Sequence, residues 1–244
     1  MRYPKIQSLF KREGACCTPE QIKKWTPDQK ANRHRFTEEY SCDEFSNVKR
    51  WILTEKIDGC NLRVMCSRPC PRMIWQIKFA GRTDAAMLPP KLLEYLQGHF
   101  TSERIEETFP DSEEIILYGE GYGAKIQNGG YYSAEQRFCL FDVVIGRRWW
   151  MDYGTVMDMA NKLDIPCATV IAPKGDYSKL WEEEEIIEYV KGSKDSPSSP
   201  LSEFAKISQC QMEGVVARAF PMMLFRDGTP VKFKLKCKDF MVTK

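Results

Sequence analysis
The residues best suited to chemistry lie in the run Trp51-Ile-Leu-Thr-Glu55-Lys56-Ile-Asp58-Gly59-Cys-Asn61, where a lysine closes an apolar stretch and a carboxylate and a glycine turn follow at once. A lysine held in this way offers an amine to a phosphate. It needs help to do so, because an unperturbed pKa near ~10.4 leaves it almost wholly protonated at neutral pH. Further along, Arg82 falls just past an apolar run in Phe79-Ala-Gly-Arg82-Thr-Asp84. Glu120 ends another run, Ile116-Leu-Tyr-Gly119-Glu120, which opens into a segment carrying Gly121, Gly123, Gly129 and Gly130. Glycine lets a backbone approach a ligand closely or take positive φ. These glycines do not open a helix with Gly-x-Gly-x-x-Gly spacing, so a dinucleotide-binding reading is poor. Phe141 sits in Arg137-Phe-Cys-Leu-Phe141-Asp142-Val-Val, and Glu213 precedes a glycine in Gln211-Met-Glu213-Gly-Val-Val-Ala-Arg218. Last, Val231-Lys-Phe-Lys234-Leu-Lys236-Cys-Lys238 alternates lysine with apolar residues, and the two-residue period of a strand sets Lys232, Lys234, Lys236 and Lys238 on one face.

Each of these has a plainer structural reading. Arg82 can be a turn arginine in solvent, Phe141 a core residue, and the lysine ladder a solvated edge strand whose charges guard against aggregation. A ladder of ammonium groups is costly unless it meets anions. Cys66, Cys70 and Cys60 do not make a zinc site: no second Cys-x-x-Cys pair exists, and His34 and His99 are the only histidines.

Strands are expected over 50–56, 62–67, 73–81, 115–120, 137–145, 147–151, 212–219 and 231–237, from alternating or continuous runs of β-branched, aliphatic and aromatic residues. Helical periodicity falls at 89–98, 102–108, 153–163 and 178–191, the last with Leu180, Ile186, Ile187 and Val190 on one face and Glu182–Glu185 as a solvated start. Pro4, Pro19 and Pro27 break residues 1–48 into an irregular lead-in with one short helix near 19–25, and Gly192–Pro200 reads as a loop. Strands that neighbour one another in sequence, with helices gathered between, predict an α+β architecture of antiparallel sheets with helices packed outside. A doubly wound parallel fold fits less well.

The 244 residues, 43% of them apolar, are expected to form a single domain over 1–244. With 36 basic and 34 acidic residues the net charge is only +2, so a nucleic-acid partner must be held by a local patch. No stretch approaches the ~20 apolar residues of a membrane span. The ten cysteines are irregularly spaced, which predicts mostly reduced thiols and a cytoplasmic protein.

In their order, Lys-x-Asp-Gly, Gly-Arg-Thr-Asp, Tyr-Gly-Glu, Phe-Asp, Glu-Gly-Val-Val and Lys-x-Lys resemble the successive motifs of the ATP-dependent polynucleotide ligase and capping-enzyme superfamily. Asn61 and the run Gly119-Glu120-x-Tyr-Gly, followed by Gln127, are most similar to the phage-type RNA ligase 2 family. The resemblance covers about 50–240 and implies the ligase adenylation-domain (nucleotidyltransferase) fold. It implies that Lys56 becomes covalently linked to AMP from ATP, that Glu55 flanks the adenine and that Asn61 lies near the reacting phosphate. Arg82 would contact ribose and nucleic-acid ends, Glu120 the ribose hydroxyl, and Phe141 would stack on adenine. Glu213 would serve Mg²⁺ or Mn²⁺, and Lys234 with Lys236 would neutralise the α-phosphate, with Lys236 and Lys238 as the alternative register. These cations would also lower the pKa of Lys56 by repulsion.

Two departures qualify the subfamily. Asp58 stands where some RNA ligase 2 relatives have histidine, and the chain stops eight residues after Lys236, so no separate carboxy-terminal domain is expected. The implied activity is sealing of 5′-phosphate and 3′-hydroxyl ends by an enzyme acting as a monomer on RNA or RNA/DNA strand ends, and the resemblance points to a phage or viral source. Alternatives are a DNA nick ligase, a 5′-end adenylyltransferase, a capping guanylyltransferase, or a non-catalytic nucleotide- or end-binding module.

Overall fold
The structure is a computed structural model, and it describes residues 1–14, 17–32, 35–70, 73–192, 199–201 and 212–240. In chain order the elements are β1 (Gln7–Ser8), β2 (Phe10–Arg12), α1 (Pro19–Lys23), α2 (Pro27–Asn32), β3 (Phe36–Tyr40), β4 (Trp51–Lys56), β5 (Cys60–Ser67) and β6 (Gln76–Gly81). There follow α3 (Pro90–His99), α4 (Ser102–Thr108), β7 (Glu114–Tyr122), β8 (Arg137–Ile145), β9 (Trp149–Trp150) and α5 (Tyr153–Leu163). The chain ends with β10 (Val170–Ile171), α6 (Glu183–Lys191), β11 (Gly214–Ala219) and β12 (Lys232–Lys236). The expected α+β class is therefore the observed one. Most of the loop expected at 192–200 lies outside the described residues.

The chain divides into two compact units, one of residues 1–4, 57–169 and 198–211, the other of 5–56, 170–197 and 212–244. In the second unit five strands lie in the order β1-β12-β11-β4-β10, antiparallel except for the β1–β12 pair. Trp51, Leu53, Val215, Ala217, Phe233 and Leu235 point to one face and bury against Ile186 and Val190 of α6. The rings of Trp51 and Phe233 meet edge to face at 4.6 Å. Tight aromatic packing of this kind fixes strand register, because a one-residue slip would carry every core residue to the opposite face.

In the first unit the strands run β6-β5-β7-β8-β9, all antiparallel, with α3 and α5 packed on β8. Leu62, Val64, Leu92, Leu96, Ile105, Phe138 and Leu140 are all essentially inaccessible.

Three details differ from the sequence reading. The lead-in contains β1, β2 and β3, strands of two to five residues; β1 is too short to carry a period and exists through its pairing with β12. The last long helix begins at Glu183, where the Glu185 side chain reaches back to accept from the Glu182 backbone N–H at 3.0 Å. And β12 is no edge strand, since β1 and β11 cover its two sides. Its ladder also ends early: Lys238 falls in a 3-10 turn over Cys237–Asp239, where Asp239 accepts from the Lys236 backbone N–H and pairs with Arg12 at 2.8 Å. All eight described cysteines are free thiols. No described helix is long and apolar enough to cross a membrane.

Candidate active site
Strands β4, β11 and β12 lie side by side, and their register builds the site. Gly214, the first residue of β11, is the cross-strand partner of both Lys56 and Lys236. Two positions on, Val216 is flanked by Thr54 and Lys234. Cross-strand partners share a face, so Lys56, Lys236 and Lys234 stand together on the side of the sheet opposite the Trp51–Phe233 core. Gly214 leaves the space between the two lysines open, and no other residue suits it: a Cβ there would lie 2.2 Å from the Leu235 carbonyl oxygen.

Glu213, just before β11, fills that space with charge. Its Oε2 accepts from Lys56 Nζ and its Oε1 from Lys236 Nζ. The three side chains are only 14–26% exposed. Burial pushes the Glu213 carboxyl up, but the Lys56 charge and the hydrogen bonds from both lysines outweigh it and hold the group below the usual range. Lys234 is held below the ordinary lysine range by burial first, then by the like charges of Lys56, Lys236 and Lys5, with Glu213 opposing. Four cations around one carboxylate leave a local excess of positive charge, and an anion would relieve it. Glu55 is not part of this cluster. It alternates with Lys56 onto the face of Trp51 and Leu53, is 2% exposed, and its charge acts on the Tyr189 phenol.

The remaining candidates fall in the other unit. The turn after Ile57 is tight because Gly59 packs against β7, where a Cβ would lie 2.2 Å from the Gly121 carbonyl oxygen. Asp58 is tied into the glycine-rich segment: its backbone N–H donates to the Tyr132 hydroxyl at 3.3 Å and its carboxylate accepts from Asn128 Nδ2 at 2.7 Å. Asn61 and Glu120 are cross-strand partners on β5 and β7. Asn61 Oδ1 is buried with no hydrogen-bond partner among the described residues, an acceptor that costs free energy until it is satisfied.

Phe141 is a bulge. Tyr118 pairs with Asp142 and Gly119 with Leu140, so Phe141 is the extra residue between them. Leu140 bonds instead to the Pro166–Ala168 segment, at 2.8 and 2.9 Å. A bulge re-aims a side chain, and the Phe141 ring is half-buried, edge-on to Tyr3 at 5.0 Å. Arg82 is exposed just beyond β6.

Arg63 was not singled out from the sequence. Its buried guanidinium donates to the Gly81 carbonyl at 2.9 Å and to Asp84 Oδ1 at 2.6 Å, bracketing the turn that carries Arg82. The signal was present: a charged residue between the apolar Leu62 and Val64 of a strand.

These sheets and helices form the nucleotidyltransferase fold of RNA ligases. Solved structures of a Naegleria gruberi RNA ligase share it. The one with PPi matches with TM-score 0.53 and 17% identity over 77% of this chain and 49% of that one. A mutant with ATP and Mn gives 0.53 and 17% over 78% and 52%, and a mutant with AMP and Mn gives 0.54 and 15% over 96% and 57%. The chain thus spans about half the length of these structures. No curated protein matches the sequence. The RNA ligase family itself matches residues 49–236, and the chain belongs to that family.

Proposed function
We propose that the protein is an ATP-dependent RNA ligase that joins 5′-phosphate and 3′-hydroxyl ends, with Lys56 as its nucleophile. The observation that carries this reading is the cluster at the ends of three adjacent strands, with Lys56 and Lys236 sharing the Glu213 carboxylate and Lys234 beside them. Such a cluster is suited to an amine that must attack a polyanion. The Lys56 amine attacks the α-phosphorus of ATP, forming a P–N bond as the bond to pyrophosphate breaks, and Glu213 is in hydrogen-bond position to take the proton released. Lys234 and Lys236 offset the charge that gathers on the α-phosphate oxygens, and electrostatic stabilisation of this kind usually does most to lower such a barrier. AMP then passes to a 5′-phosphate, and a 3′-hydroxyl displaces it as the phosphodiester forms.

A hard divalent cation suits this donor set in one way. The described residues contain no group of three or more His, Cys, Asp or Glu able to cage a metal, but Mg²⁺ is commonly held by one carboxylate together with substrate phosphates and water. Glu213 would be that carboxylate, and the cation would supply further charge neutralisation at the phosphates. The Naegleria gruberi structures with ATP or AMP and Mn are in keeping with this. On the family pattern, Phe141 stacks on the adenine, Glu120 takes the ribose hydroxyl, Asn61 lies near the phosphate, and Arg82 contacts ribose and strand ends; the adenine role that the pattern gives Glu55 is not carried over, because its side chain is buried on the Trp51–Leu53 face. Arg63 acts through Arg82 as a positioning residue.

The test is to incubate the protein with ATP, Mg²⁺ or Mn²⁺ and nicked duplexes carrying RNA or DNA on each side of the break. Sealing that requires ATP and an RNA 3′-hydroxyl strand supports the reading. Equal sealing of all-DNA nicks would make it a DNA ligase. Adenylated 5′-ends that never become joined would make it an adenylyltransferase.

A further inference from the structure
The unit that carries Asn61 and Glu120 also holds a cleft of about 580 Å³, where Tyr95 and His99 of α3, Glu135 and Arg137 at the start of β8, and Asp164 and Ile165 after α5 come together. None of these residues belongs to the candidate active site. Tyr95 and His99 lie one helical turn apart, and their rings stack with centroids 4.0 Å apart and planes at 24°, so each braces the other and the pair offers the outer face of a single ring. His99 Nδ1 is 3.0 Å from the Tyr95 carbonyl oxygen. That carbonyl can only accept, so Nδ1 carries the hydrogen, and in the neutral ring Nε2 is an acceptor.

Burial pushes the Tyr95 phenol up to about 12; the Arg137 charge opposes the shift and that of Asp164 adds to it. The phenol therefore stays a neutral donor at neutral pH, with a guanidinium and a carboxylate in electrostatic reach. Arg137 pairs with Glu135 at 3.5 Å. Asp164 sits in the left-handed region (φ 55°, ψ 47°) as the C-cap of α5, and its carboxylate makes no hydrogen bond or ion pair among the described residues.

An aromatic ring face rimmed by a guanidinium and carboxylates is matched by a planar heterocycle with one donor edge and one acceptor edge. Phosphate fits poorly beside two carboxylates. Guanine fits best: its N1–H and 2-amino group donate side by side to one carboxylate, and O6 and N7 accept from a guanidinium. Adenine lacks the N1–H, and pyrimidines offer less surface to stack. The volume leaves room for the attached ribose.

We propose that this cleft binds an unpaired guanine base. The base could come from a single RNA strand or from a free guanine nucleotide. Only the first source rests on the ligase reading.

The test compares binding of a fluorescent single-stranded oligoadenylate with the same strand carrying one guanosine, and of GMP with AMP, to the wild type, Asp164→Asn and Arg137→Ala. Asparagine tolerates the left-handed conformation, so Asp164→Asn keeps the turn while replacing the double acceptor with an amide. The expected result is a preference for the guanine ligand of roughly ten-fold or more, erased in Asp164→Asn and weakened in Arg137→Ala. A preference seen with RNA assigns the base to the strand, and one seen only with GMP assigns it to the free nucleotide. Equal binding of guanine and adenine ligands by the wild type, or a preference unchanged in both variants, overturns the proposal. Labelling of the wild type from radioactive ATP is read in parallel. Absence of label with the guanine preference intact would sink the ligase reading and leave the cleft standing.

Discussion

At the scale of single residues, the proposed chemistry turns on which cations accompany Lys56. Lys234 and Lys236 share its face of the sheet, while Lys238 lies in the turn beyond β12. Lys234→Ala should therefore slow self-adenylation by about 10²-fold, the usual cost of losing one group that stabilises transition-state charge, whereas Lys238→Ala should leave it unchanged. Single-turnover labelling with radioactive ATP distinguishes the two, and the reverse ranking would shift the register by two residues. Glu213 makes a second prediction. Its folded pKa lies below its ordinary value of 4.5, so it favours the folded state above pH 4.5 and that contribution is lost as pH falls through the lower, folded value. Glu213→Gln should cost about 1–2 kcal/mol at pH 7, the partial exposure of the pair reducing what a fully buried one would lose. Urea unfolding of both proteins at pH 7 and near pH 3 should show this gap narrow with acid. A gap that stays constant would mean that the carboxylate contributes packing rather than charge.

At the scale of elements, β11 is the organiser, because its first residue faces a lysine on each side. Gly214→Ala places a methyl against the Leu235 carbonyl and forces β11 and β12 apart. The expected cost is roughly 1–3 kcal/mol of stability, with a larger loss of adenylation than stability alone explains, since Glu213 moves with the strand. Thermal unfolding and ATP labelling of the variant check both. The positions of β4, β5, β7, β8, β11 and β12 were legible in the sequence because each is long enough to show an apolar run or a two-residue alternation. The strands β1 and β10, of two residues each, were not, because they exist only through their partners. The same limit hid the bulge at Phe141. Its strand reads as continuous apolar sequence, and the register shift is set by Leu140 bonding to the Pro166–Ala168 segment, a contact no local pattern encodes.

At the scale of the whole chain, a net charge of +2 conceals a concentrated cationic patch, in which Lys5, Lys56, Lys234 and Lys236 act on one another around a single carboxylate. The ordered motifs span almost two hundred positions, and the family match over residues 49–236 follows the same span. Motif order does not reveal the shared carboxylate. Lys56 and Glu213 are 157 residues apart, and only the pairing of β4 with β11 joins them. Nor does it reveal Arg63, whose role depends on where the Gly81–Asp84 turn folds back. The central claim is that the Lys56 amine carries AMP, and the most direct measurement is intact-mass and peptide mass spectrometry of the protein after incubation with ATP and Mg²⁺ or Mn²⁺. The account predicts a mass increase of one adenylate, located on Lys56 and absent from Lys56→Ala. An unmodified protein under those conditions, or an adenylate on any other residue, would contradict it.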